Sequence, residues 1–484
     1  MKLNKKLVAI GFALSSGLTG LGLPSVALAK DWPSGYSKCA DEGESCAVGT
    51  RARRVSFGIK DKWVTQTLSG TVTCSTATFG SDPYLGKTKK CAIGPSVVTV
   101  SAAGVSTMST TAAASATTDA STETAPATGW ASQGGGTTGG SAAAATSIYT
   151  VGSAPQLLAA LKAAGTQPRI VKVSGTIDLA AADNGGPFKS ASDQAARSAI
   201  ILPSNTTLIG AGSDAGFVNG QIVLKGVSNV IVRNLRIVNP CDIAPQWDPN
   251  DGASGNWNSQ YDGIVIDAAS RVWVDHNLFT DAPVTDDLLP IEHGKRKQCH
   301  DGAIDVKNGA DYITVSNNVF ELHDKNDLIG SSDSTTSDDG HLTVTFHNNY
   351  FHNVTQRAPR VRFGKVHLYN NYYEGGRQRG IFLYEYSIGV GYKAKIISAN
   401  NVFDIEGATS CGDVVKNPGS SSKPGAIYDA GSLLNGAALG LGSAKCPFSS
   451  AVGWQPPYTA SLLPATAVRD AVKQNAGVGK LQVR

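Results

Sequence analysis

The sequence predicts an all-β chain, an elongated parallel β-solenoid preceded by a small disulfide-stapled β domain. Three observations carry this. A phrase made of an alternating strand, an Asn and an apolar or aromatic residue recurs through the larger part of the chain. Eight cysteines, an even number, fall into sequence-local groups. Between the two parts runs a stretch with almost no charge and few large side chains.

The phrase reads Val230-Ile231-Val232-Arg233-Asn234-Leu235, then Val272-Trp273-Val274-Asp275-His276-Asn277-Leu278-Phe279, then Ile313-Thr314-Val315-Ser316-Asn317-Asn318-Val319-Phe320. It returns around Asn349, Asn371 and Asn401. Aligning the phrases on Asn234, Asn277, Asn318, Asn349, Asn371 and Asn401 gives a shortest interval of 22 residues, about one solenoid coil. Longer intervals are one coil plus an inserted loop. Stacked coils form parallel sheets along the axis, and an Asn at the same bend of each coil can bond to its copies above and below. A β-propeller is the competing repeat fold, but it needs longer, more even periods.

The N-terminus carries Lys2, Lys5 and Lys6, an uncharged apolar run, and Ala27-Leu28-Ala29, the pattern of an export signal over residues 1–29. The expected location is therefore extracellular, with no membrane association. Beyond the signal, 39 basic residues stand against 38 acidic ones, which excludes a bulk basic footprint for nucleic acid. In an exported chain, the cysteines read as disulfides. Sequence proximity suggests Cys241–Cys299 and Cys411–Cys446, and leaves the pairing among Cys39, Cys46, Cys74 and Cys91 open.

Composition divides the remainder into three parts. Residues 30–92 form a small Cys-rich domain with strand-like alternation. Its aromatics, Trp32, Tyr36, Trp63 and Tyr84, read equally as core or as sugar-stacking groups, and Arg51, Arg53, Lys87, Lys89 and Lys90 could meet carboxylates. Residues 93–147 read as a flexible Ser/Thr/Ala/Gly linker, with Asp119 and Glu123 its only charges. Residues 148–484 are the solenoid.

A solenoid has no intrinsic pocket, so function is expected where loops lengthen, between Asn234 and Asn318. Acidic residues collect there, in Gln260-Tyr261-Asp262-Gly263 and in His300-Asp301-Gly302-Ala303-Ile304-Asp305-Val306-Lys307. Carboxylates converging from adjacent coils without His or Cys suit a hard cation, calcium before zinc. Paired glycosidase acids are the other reading. Downstream, Gln356-Arg357-Ala358-Pro359-Arg360-Val361-Arg362-Phe363-Gly364 holds three arginines and no acid, a pattern suited to carboxylate recognition. Alternation should point Arg360 and Arg362 the same way.

With these motifs in order, the large domain resembles the family 1 polysaccharide lyases, the bacterial extracellular pectate lyases. The likeness rests on Val272-Trp273-Val274-Asp275-His276, Asp301-Gly302-Ala303-Ile304-Asp305, Gly330-Ser331-Ser332-Asp333-Ser334 and the arginine run, over roughly residues 150–405. The resemblance implies a single-stranded right-handed parallel β-helix. It also implies a monomeric enzyme that cleaves polygalacturonate (pectate) by calcium-dependent β-elimination to 4,5-unsaturated oligogalacturonides. It assigns Asp262, Asp301 and Asp305 to Ca2+, Arg357 to the base, and Lys325, Arg362 and Lys307 to the substrate. Some relatives have a further acid where this chain has Gln260. Without the resemblance, the residues do not choose between a lyase, a hydrolase and a non-catalytic adhesin.

Overall fold

A computed structural model describes residue 32 and residues 36–60, 62–96, 116–163, 165–251, 254–378, 382–419 and 424–483. The expected export signal, 1–29, lies outside the described residues. The chain divides into two compact units, residues 1–110 and 111–484.

The first unit is a four-stranded antiparallel sheet. Its strands are β1 (Ser37–Asp41), β2 (Ser45–Ile59), β3 (Lys62–Thr73) and β4 (Lys90–Ser96), in the order β1-β4-β2-β3. A short helix, α1 (Thr76–Phe79), is capped at its start by Ser75 and followed by Gly80 in the left-handed conformation. Val55 and Phe57 enter the core with Phe79, whose ring stacks on Phe57 at 5.2 Å. The open pairing is resolved as Cys39–Cys46 and Cys74–Cys91. Two bridges suit a core too small to hold the sheet unaided.

The second unit is the expected solenoid. Two ten-stranded sheets and one eight-stranded sheet run along it. Each coil contributes a strand to the first sheet, such as Ser270–Asp275, one to the second, such as Leu278–Thr280, and one to the third, such as Ile304–Lys307. Pairing is parallel and in register from coil to coil: Val272 faces Ile313, which faces Val344, Val366 and Ile396 in turn. Inward residues alternate with outward ones, and the rings of Phe279, Phe320, Phe351, Tyr373 and Phe403 stack inside with centroids 4.4–4.9 Å apart. The helix Ala154–Ala163 buries Leu157 and Leu161 against the first coil. At the far end, Leu433–Leu434 turns back on Ala437–Ala438 in an antiparallel pair. The disulfides Cys241–Cys299 and Cys411–Cys446 are present as expected.

The asparagine ladder forms at the bend between the first and second sheets, with one shift of alignment. Asn277, Asn318, Asn349 and Asn371 each donate from Nδ2 to Oδ1 of the next copy at 2.9–3.1 Å, the last reaching Asn401. Asn234 does not belong to this column; Leu235 holds that place and donates its backbone N–H to Asn277 Oδ1 at 3.0 Å. Asn234 instead aligns with His276, Asn317, Asn348, Asn370 and Asn400, all with φ between 49° and 56°. The bend thus uses one residue in the left-handed region and then the ladder residue, and Asn suits both for different reasons.

The linker expectation fails over residues 116–147, while 97–115 lie outside the described residues. This stretch is laid along the outer face of the first sheet. Trp130 N and Ala131 N donate to Thr345 Oγ1 and Thr314 Oγ1 at 3.0 and 2.9 Å, and Gly140 N donates to Thr207 Oγ1 at 2.9 Å. Polar side chains on the sheet therefore satisfy the segment's backbone, so it needs few large side chains of its own. Close approach selects small residues: a Cβ on Gly140 would lie 1.9 Å from Arg169 O. Glu123 is buried in an ion pair with Arg233, which also reaches Asp275 at 2.8 Å and lies over the Trp273 ring at 4.2 Å. Composition alone hides such a segment, because its partners lie elsewhere in the chain.

Candidate active site

The site forms where the third sheet meets the long loops that precede it. In the strand Ile304–Lys307, Ile304 and Val306 point into the core, so Asp305 and Lys307 point out. The ladder places Asp305 beside Val265 on one side and Leu328 on the other, and Leu328 beside Arg360. Val361 is buried, so Arg360 and Arg362 share the outer face, as alternation requires. An acidic strand and an arginine strand thus stand on the same surface, two coils apart, with Asp327–Ile329 between them.

Asp262 sits two residues before the strand Ile264–Asp267 and accepts the Gly302 N–H at 2.8 Å. A Cβ built on Gly302 would lie 2.7 Å from Asp262 Oδ1 and 2.9 Å from Asp305 Oδ1. The glycine therefore leaves open the point on which both carboxylates converge. Both are buried. Burial, with the charges of Asp305 and Asp301, holds the Asp262 carboxyl well above the usual range. Burial and Asp301 push Asp305 up to about 6. Lys307 Nζ, 3.6 Å from Asp305, offsets one of the three charges. The expected substrate lysine is thus engaged with the acidic cluster.

Three carboxylates against one ammonium, with an uncrowded point between two of them, is a donor set that fits a hard divalent cation. A second group of possible ligands, Cys241, Cys299 and His300, has its sulfur and nitrogen atoms within 4.8 Å of one another. The two cysteines of that second group form a disulfide, which removes them as ligands. Near Gln260, the Asp242 carboxylate accepts from the amides of Ala244 and Gln260 at 2.8 and 3.2 Å and so fixes the loop that leads to Asp262.

Arg357 follows Gln356, the register partner of Lys325 in the neighbouring coil. Its φ of 60° is in the left-handed region, which a non-glycine residue adopts at a cost of about 1–2 kcal/mol. Its Nε is buried without a hydrogen-bond partner, and it forms no ion pair within 4.0 Å with a described residue. Arg362 is fixed by Asp333 Oδ1 at 2.7 Å and Gly330 O at 2.9 Å. This explains the Gly330–Ser334 motif, and it means that the arginine run does have an acidic partner, from the preceding coil. Burial, Arg362 and Arg357 together lower the Arg360 guanidinium to about 10. Lys325 is buried and donates to Trp257 O at 3.3 Å.

Sequence reasoning left several neighbours without a role. His323 bonds Asp281 at 2.7 Å and places Nε2 3.2 Å from Lys325 O. The two long insertions bring together Trp247, Trp257 and His293: Trp247 stacks on His293 at 4.8 Å, and Lys297 lies over Trp257 at 5.1 Å. Their signal was the length of those loops. The Trp273/Asp275 phrase is structural here, with Trp273 Nε1 donating to Ser316 Oγ and Asp275 held low by His276 and Arg233 despite its burial.

Comparisons with known proteins point to one family. A family model described as pectate lyase matches residues 97–481. Pectate lyase E of Dickeya dadantii is 42% identical over 413 residues, covering 84% of this chain and 97% of that protein. A solved pectate lyase bound to a hexasaccharide is 39% identical, with a TM-score of 0.70 over 75% of this chain and 99% of its own. Another, from work on substrate specificity and the anti β-elimination mechanism of pectate lyase, is 38% identical, with a TM-score of 0.71 over 75% of this chain and 100% of its own.

Proposed function

The chain belongs to the pectate lyase family, and from that premise we propose that it cleaves polygalacturonate by calcium-dependent β-elimination, with Arg357 as the base and 4,5-unsaturated oligogalacturonides as the products. The observation that supports this most directly is the pairing of an acidic cradle with an arginine strand on one sheet face.

In polygalacturonate, the proton at C5 is acidified by the adjacent C6 carboxylate once that carboxylate's charge is neutralised. Calcium held by Asp262, Asp301 and Asp305 would supply that neutralising charge as a Lewis acid. Lys325 and Arg362 bind further carboxylates, and Arg362 is pre-oriented by Asp333 and Gly330 O. Arg357, unpaired with any described acid, takes the C5 proton. The C5–H electrons form the C4–C5 double bond, the C4–O bond breaks, and the leaving oxygen takes a proton from solvent.

Lys307 is more than a substrate contact in this reading, because it holds Asp305 until a cation competes for that carboxylate. We also infer export as a monomer, with residues 1–29 removed. The four disulfides support this reading, and N-terminal sequencing of the exported protein tests it.

The test is an ultraviolet assay on polygalacturonate. Elimination gives a conjugated uronide that absorbs in the near ultraviolet, whereas hydrolysis gives a saturated, non-absorbing product. Absorbing product that requires calcium and is abolished by chelation is expected; reducing ends without absorbance would overturn the reading.

A further inference from the structure

We propose that the aromatic-bearing face of the small N-terminal sheet is a second, non-catalytic binding site for a polyuronate chain. This domain lies outside residues 97–481, the region matched by the family model. Val55, Phe57 and Cys91 face its core, so alternation places Arg54, Ser56 and Gly58 of β2, and Lys90, Ala92 and Gly94 of β4, on the other face. Helix α1 stacks Phe79 on Phe57, on the core side. On this second face Arg54 is exposed and Lys90 half-buried, while Ser56 and Ala92 are fully buried, so its centre is covered, but not by α1.

Aromatic rings lie on that side instead. A Cβ on Gly58 would meet the Trp63 ring at 2.7 Å, and one on Gly94 would meet the Tyr36 ring at 2.6 Å. Each ring therefore lies directly on glycine backbone, an approach closed to any other residue. Lys90 Nζ lies 5.9 Å from the centre of the Trp32 ring. If these rings formed a second core they would be shielded as Phe57 and Phe79 are, at 0% and 2% exposure; Trp32, Tyr36 and Trp63 all stay partly exposed.

Charge selects the occupant. Residues 32–96 hold nine Lys and Arg against five Asp and Glu, whereas residues 97–484 hold 29 against 32. The basic excess of the chain is thus concentrated in this domain, and Arg54 and Lys90 place part of it on the aromatic face. A polyuronate offers both matching groups in every unit, an apolar ring face for stacking and a carboxylate for a cation. Attachment of this site to a depolymerising domain would raise the local concentration of the enzyme on the polymer. The choice of polyuronate rests on the substrate proposed above.

The experiment uses the full chain in EDTA, where turnover is halted, on covalently cross-linked polygalacturonate and on neutral galactan. Expected is salt-sensitive retention on polygalacturonate alone. Trp63→Ala should weaken it about tenfold, the equivalent of about 1.4 kcal/mol. Arg54→Glu, at an exposed position that the fold does not need, should weaken it comparably. Turnover of a soluble hexagalacturonide with calcium present should be unchanged in both variants. Wild-type retention by both variants, or equal retention on galactan, would overturn the proposal. If the wild type makes no unsaturated product yet shows this retention pattern, the lyase reading fails and the binding face stands.

Discussion

His323 places Nε2 3.2 Å from the carbonyl oxygen of Lys325, while its Nδ1 holds Asp281 at 2.7 Å. The imidazolium thus links a buried acid to the backbone of the expected substrate lysine. Burial alone would lower its pKa, but Asp281 outweighs burial and raises it to about 9. The folded pKa exceeds the unfolded value of about 6.5, so this stabilisation is complete below pH 6.5 and is lost as pH rises through 9. Its size is on the order of 3 kcal/mol. Thermal denaturation across pH 6–10 should show a decline that is absent in His323→Gln. The variant should also raise KM more than it lowers kcat, since His323 acts only through the position of Lys325.

Only a neutral guanidine can take a proton, so an Arg357 base implies a rate that climbs through the alkaline range. Arg357→Lys should lower kcat by at least about a hundredfold and leave binding of a short oligogalacturonide nearly intact. Stopped-time absorbance assays from pH 7 to 11 would check this. Full activity with an unchanged pH profile would assign the base elsewhere, with Arg360 the next candidate.

Removing acid from the cradle should act on the metal before the substrate. Asp305→Asn is expected to weaken calcium binding by at least about tenfold, a modest value for one ligand of a hard cation. Lys307→Ala should strengthen calcium binding, because it frees Asp305 from its 3.6 Å ion pair. Calorimetric titration without substrate reads both. Weaker calcium binding in Lys307→Ala would contradict the idea that the lysine competes with the cation.

Asn349→Ala tests the ladder. The side chain accepts from Asn318 N at 3.0 Å and donates to Val315 O at 2.9 Å, so truncation orphans a donor and an acceptor in the interior. A loss of about 3 kcal/mol is expected by denaturant titration. Glu123→Ala should cost a similar amount, about 3 kcal/mol, because it strips one of two acids from buried Arg233. If Glu123→Ala were neutral, the segment before residue 148 would be a passive wrapping.

The solenoid was legible in the sequence because one local rule repeats: alternation, a bend, and an Asn whose partner is its own copy. The proximity of Asp262 and Asp305 was legible because they fall in successive coils, although Asp262 is level with Gly302 and Asp305 with Val265. What escaped was pairing between unlike segments. Glu123 finds Arg233 across 110 residues, and Asp333 finds Arg362 across 29. Asn234 was misaligned because two successive positions of the bend both favour Asn, one for its backbone conformation and one for its side-chain amide. Nothing in spacing alone distinguishes them.

The stacked coils amount to a cross-β spine of limited length. A spine of this kind ends in rows of unpaired amides and carbonyls that template further strands. Here the helix Ala154–Ala163 lies against the first coil, and the Leu433–Ala438 reversal meets the last with a strand of opposite sense. Growth of this spine into a fibril is therefore held off by two short end pieces, and a truncation that removed either would be read first in aggregation, before any loss of chemistry.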